Sequence, residues 1–140
     1  MKPSRRGAIA LAAGALFLCA APWATARSAA APALPARSND AGGVRVVVKP
    51  QSVPAAAAWE FEVVMDTHTK PLDDDLTKIT VLVDDGGRRY APLAWQGDKP
   101  GGHHRKGILR FPAPAEPAKS FELRIQGLGG VKTRVFQWIR

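Results

Sequence analysis

The stretch Trp59-Glu60-Phe61-Glu62-Val63-Val64-Met65-Asp66-Thr67-His68 decides the fold. Trp59, Phe61, Val63 and Met65 recur at every second position with Glu60, Glu62 and Val64 between them. A period of two places one set on a core face and the other toward solvent, which is the pattern of a half-buried strand. Phe121, Leu123 and Ile125, alternating with Ser120, Glu122 and Arg124, repeat it.

Further strands are expected over residues 44–48, 79–83, 89–94, 108–111 and 131–139, where β-branched and aromatic residues concentrate. Asp84-Asp85-Gly86-Gly87 reads as a hairpin turn, because Asp and Gly tolerate the positive φ of primed turns. Residues 127–130 are expected to close a second hairpin. A short helix is expected within 72–78, with Asp73, Asp74 and Asp75 near its start, where the helix dipole favours carboxylates. About seven short antiparallel strands predict an immunoglobulin-like β-sandwich, with a small closed barrel as the alternative. In the last strand Val135 and Ile139 fall on one face and Phe136 and Trp138 on the other, so its phase stays open. Val81 is placed in the core beside Phe61, Val63, Leu109, Phe111, Leu123 and Ile125, and most of Trp59, Trp95 and Trp138 are expected there too.

The chain has 140 residues, with 46% hydrophobic and 23% charged. That is the composition of one ordinary globular domain, and it excludes a large multidomain enzyme or a protein of many membrane spans. Lys2, Arg5 and Arg6 precede an uncharged stretch over 7–21, and Ala24-Thr25-Ala26 follows as a cleavage site. These are the parts of an export signal over 1–26, and its apolar stretch is too short for a membrane span. Residues 5–10 lack the full twin-arginine pattern, which favours the general secretory route. Export predicts a periplasmic or secreted protein with no stable membrane insertion after cleavage. Removing Lys2, Arg5 and Arg6 from 20 basic residues leaves 17 against 12 acidic ones, and Cys19 leaves with the signal. A mature protein without cysteine has neither a disulfide nor a blue-copper site. Residues 27–43, rich in Ala, Pro, Ser and Gly, are expected to be a flexible tether, with the sandwich over 44–140.

The chemistry-bearing residues lie in two segments. Alternation puts Asp66 and His68 on one face at the end of the Trp59 strand, while His103 and His104 follow Gly101-Gly102 in a loop that lets both converge. All three histidines fall in these segments. The expectation is a site for a divalent transition metal, copper or zinc, built from His68, His103 and His104. Asp66 serves either as a ligand or as the acceptor that orients one imidazole.

Residues 59–68, Leu72, Asp75-Leu76, Leu93-Ala94-Trp95, Gly101-Gly102-His103-His104, Gly107, Phe111 and 135–138 together resemble small exported bacterial β-sandwich domains of unknown function with an Asp-Thr-His … Gly-Gly-His-His pattern. The resemblance implies that Asp66, His68, His103 and His104 act as a unit, and it implies no reaction.

A second reading is a periplasmic protein-interaction or anion-binding module without metal, in which Lys99, Arg105, Lys106 and Arg110 surround the Gly-rich loop. Ser52 and Ser120 lie in no nucleophile motif, and Asp73-Asp74-Asp75 matches no calcium loop. No phosphate-cradling, zinc-finger or nucleic-acid motif is present, so the expectation is a binding protein that is neither an enzyme nor a nucleic-acid binder.

Overall fold

The structure is a computed structural model that describes residues 33–140. The export signal expected over 1–26, Cys19 included, and the tether residues 27–32 lie outside the described residues.

Among the described residues, nine strands form two antiparallel sheets. They are β1 (Arg37–Ala41), β2 (Val44–Ser52), β3 (Trp59–Thr67), β4 (Thr80–Asp84), β5 (Arg89–Tyr90), β6 (Ala94–Gly97), β7 (His104–Phe111), β8 (Ser120–Gln126) and β9 (Thr133–Ile139). One sheet has the order β1-β2-β3-β7-β6 and the other β5-β4-β8-β9. The fold is a β-sandwich whose sheets stay separate, which removes the barrel alternative. A single turn of helix, α1 (Leu76–Ile79), joins β3 to β4, capped by Asp75, whose carboxylate accepts from the Thr77 amide at 3.0 Å.

Alternation in β3 does what the sequence predicts. Trp59, Phe61, Val63, Met65 and Thr67 are buried, and the first four share one core with Phe121, Leu123, Ile125, Phe136 and Trp138 from the facing sheet. Phe61 is the hub. Its ring lies 5.7 Å from Phe111, 5.9 Å from Phe121 and 5.8 Å from Trp138, and such aromatic pairs contribute about 0.5–1.5 kcal/mol each beyond simple burial. Phe136 and Trp138 point inward and Val135 and Ile139 outward, through an unbroken β8–β9 register, so β9 has a single phase. Trp59 and Trp138 are core residues as expected, and Trp95 is half-buried against the core.

Four expectations are corrected. The tether does not extend to residue 43, because Arg37–Ala41 forms β1 and pairs along β2 from Arg37↔Val48 to Ala41↔Val44. A strand without large apolar residues leaves no periodicity to read, yet Gly42 and Gly43 at φ +58° and +75° supply the two-residue turn that such a hairpin requires. The Trp138 indole then donates to the Pro35 carbonyl at 2.7 Å, and Arg37 Nε to the Gln137 carbonyl at 3.2 Å.

The phase of β4 is the second correction. Leu82 is fully buried opposite Leu123, whereas Val81 is half-buried. With Val81, Leu82 and Val83 all apolar, a period of two cannot say which set faces the core. Third, the single strand expected over 89–94 is two strands in different sheets, separated around Pro92, which has no N–H for a ladder. Fourth, the helix begins at Leu76, after Asp73 and Asp74 rather than on them.

Candidate functional site

One end of the sandwich gathers the start of β2, the end of β3 and the start of β7. Register places Asp40, Arg45, Asp66 and His104 in a single row across β1, β2, β3 and β7, through the pairs Asp40↔Arg45, Arg45↔Asp66 and Asp66↔His104. Residues directly opposite on adjacent strands share a face, so these four side chains stand together on the outside of the five-stranded sheet. Below them the same face carries Glu62 with Lys106 at 3.1 Å and Glu60 with Arg110 at 3.2 Å.

His104 Nδ1 lies 2.5 Å from Asp66 Oδ1, and the two side chains are 59% and 48% exposed. An ionised carboxylate can only accept, so the hydrogen belongs to Nδ1 and the neutral imidazole keeps its lone pair on Nε2. The pair therefore fixes both the tautomer and the orientation of His104.

His68 lines the same surface depression as Asp40, Arg45, Asp66 and Thr67. Its position is set by Thr67. The Thr67 hydroxyl donates to the Gly43 carbonyl at 2.9 Å and accepts from the amides of Thr69 at 3.3 Å and Lys70 at 3.1 Å, folding the chain tightly around His68. Lys70 Nζ in turn donates to the Gly129 carbonyl at 2.8 Å. His103 extends the β3–β7 pairing by one step, its carbonyl accepting from the Thr67 amide at 2.9 Å.

The fold brings Asp66 and His104 into contact and sets His68 in the depression beside Asp66. It does not assemble all four expected ligands as a closed shell: among the described residues no three His, Cys, Asp or Glu side chains form a group able to hold a metal ion. The strand begins at His104, so alternation there separates His103 from its neighbour instead of letting both converge.

The charges proposed to form an anion site are differently placed. Arg105 is 1% exposed and turned into the protein, Lys106 is paired with Glu62 and Arg110 with Glu60. Lys106 also gives its amide to the Asp98 carboxylate at 2.8 Å. Of the four cations expected around the Gly-rich loop, these three are buried or paired, while Lys99 is exposed.

Arg105 and Arg134 are what the sequence reading missed. Each is 1% exposed, and burial pushes the pKa of each below the usual arginine value. Arg134 donates to Asn39 Oδ1 at 2.5 Å and to the carbonyls of Val44 at 3.1 Å, Ala41 at 2.7 Å and Leu128 at 3.2 Å. At the end of a sandwich the ladder runs out and loop carbonyls need donors, and a planar guanidinium supplies several at once. The available signal is that both arginines sit in phase with inward residues, Arg105 with Gly107 and Leu109 and Arg134 with Phe136 and Trp138.

No protein-family model matches the chain. No curated protein matches it. Among solved structures, the chain is similar to the crystal structure of a DUF4426 family protein from Pseudomonas aeruginosa PAO1, at 16% identity and a TM-score of 0.45, over 74% of this chain and 94% of that one.

Proposed function

We propose that the protein is an exported, periplasmic or secreted, binding protein that takes up a divalent transition metal, copper or zinc, through His104. The observation that carries the reading is the 2.5 Å contact between His104 Nδ1 and Asp66 Oδ1. A carboxylate behind an imidazole is the usual outer partner of a metal-bound histidine, because it orients the ring and raises the basicity of the opposite nitrogen. His104 Nε2 is then the anchoring ligand, and Asp66 acts as its orienting acceptor. His68, exposed and lining the same depression as Asp66, completes the shell with water when the ion arrives. Rotation of exposed side chains is fast and needs no rearrangement of the sheets.

Neither neighbouring cation in β7 stands against a metal ion at His104. Arg105 is aimed away from the surface, and the charge of Lys106 is offset by Glu62. The same facts leave the anion-binding alternative with Lys99 as the exposed member of its four cations.

The test is competition of the purified protein against a chelator for Cu²⁺ and Zn²⁺. The reading expects a single site, lost in His104→Ala and weakened about 10–100-fold in Asp66→Asn, the usual range for an outer partner, with a smaller loss in His68→Ala. Equal affinity of wild type and His104→Ala, or no uptake by the wild type, overturns it. Salt-sensitive retention on an anionic matrix without metal uptake would support the interaction module in its place.

A further inference from the structure

We propose that Arg105 is the positioning residue that locks the segment carrying His68 to the segment carrying His103 and His104. In a β-strand the residue after an outward His104 must point inward, and here that residue is an arginine with 1% exposure. Its Nη1 donates to the carbonyls of Leu72 and Asp74, both at 2.8 Å, and Nη2 reaches the Asp98 carbonyl at 3.5 Å. Leu72 and Asp74 belong to the segment that follows His68, and Asp98 to the one that leads into His103. The Trp95 ring covers the guanidinium with its centroid 5.5 Å from Cζ.

Leu72 is the point where the two segments meet. Its side chain is fully buried, its amide donates to the Gly102 carbonyl at 3.3 Å, and its carbonyl accepts from the Gly101 amide at 3.0 Å as well as from Arg105. The Thr67 amide to the His103 carbonyl closes the same seam from the other side of His68. Removing the guanidinium leaves the Asp74 carbonyl without the donor it has in this seam and the Leu72 carbonyl with one donor fewer. Lysine cannot replace it, since an ammonium lacks the planar fork that reaches two carbonyls on one side and a third on the other.

Arg134 is a matched control within the same protein. It has the same 1% exposure and likewise holds backbone carbonyls, but those of Ala41 in β1, Val44 in β2 and Leu128, none of them within 68–74 or 98–104. A general loss of stability should follow from either substitution, whereas loss of register between the histidine segments should follow from one.

The experiment compares Arg105→Lys with Arg134→Lys by residue-resolved amide hydrogen exchange and, in parallel, by Zn²⁺ affinity. Exchange at Thr67, Leu72 and Gly101 should speed up about tenfold more in Arg105→Lys than in Arg134→Lys, reporting local opening of that seam. Zn²⁺ affinity should fall about tenfold in Arg105→Lys alone, the scale of a lost positioning contact. Trp95→Leu, which uncovers the guanidinium without removing it, should shift both readouts in the same direction by less, and it serves if Arg105→Lys does not fold. Equal acceleration in the two arginine variants, or none at these three amides, overturns the proposal. The affinity readout rests on the metal reading above and the exchange readout does not, so a wild type without Zn²⁺ uptake rejects the proposed function while exchange still decides the lock.

Discussion

Gly97 and Gly107 lie directly opposite each other in the β6–β7 ladder, and a Cβ on either one collides with the other strand. A Cβ on Gly107 would stand 2.6 Å from the Gln96 carbonyl oxygen, 2.7 Å from Gly97 Cα and 2.7 Å from the Trp95 ring. This bare patch lets Trp95 lie flat enough to reach Arg105 and to donate its indole N–H to the Asp98 carbonyl at 2.9 Å. Gly107→Ala should therefore destabilise the fold by about 1–3 kcal/mol through overpacking. Chemical denaturation checks this, with an unchanged midpoint as the contrary result, and Trp95 fluorescence should shift as the ring is displaced.

Asp84 supports the β4–β5 hairpin from a buried position. Its carboxylate accepts from the Arg88 amide at 2.9 Å, Arg88 Nε at 3.1 Å and the Tyr90 hydroxyl at 2.8 Å. Burial pushes its pKa up, but these hydrogen bonds and the Arg88 charge outweigh burial and hold it below the ordinary 3.8. A carboxyl whose folded pKa lies below its unfolded one stabilises the fold above the unfolded value and loses that contribution as pH falls through the folded value. The stability gap between wild type and Asp84→Asn should accordingly be full at neutral pH and shrink below about pH 4. Urea titrations at several pH values measure it. A gap that stays constant into the acid range contradicts the account.

How much of this was readable from sequence depended on whether one face was polar. Glu60 and Glu62 mark the outside of β3, and Ser120, Glu122 and Arg124 that of β8, so the phase of both strands is legible. β4 has no such marker, and its pattern allows Val81 inward where Leu82 is the buried residue. β1 carries no apolar period at all, and only the Gly42-Gly43 turn announces it. For the site, alternation put Asp66 and His68 on one face, and both line the same depression. The contact between Asp66 and His104 is a matter of register between strands 38 residues apart, which local pattern does not encode. Burial of Arg105 and Arg134 runs against the usual exposure of arginine, and loop carbonyls that need donors are visible only once the chain is folded.

Arg45 is the cationic residue in the same cross-strand row as Asp66 and His104. It pairs in register with both Asp40 and Asp66 and lines the depression that holds His68. Repulsion between a guanidinium and a divalent ion several ångströms away in water is about 1 kcal/mol. Arg45→Gln should therefore bind Cu²⁺ or Zn²⁺ about fivefold more tightly than wild type, most clearly at low salt, where screening is weakest. Weaker binding in this variant would mean that Arg45 contributes to the site instead of opposing it.

Whether His104, held by Asp66 through Nδ1, offers Nε2 to a metal is decided by ring-nitrogen NMR of the three histidines during a Zn²⁺ titration. Nδ1 of His104 should be the protonated nitrogen before and after addition, Nε2 of His104 should shift on binding, and Asp66→Asn should weaken the Nδ1 preference. A His104 that protonates at Nε2, or Zn²⁺ binding that leaves its ring nitrogens unmoved, would contradict this role of His104.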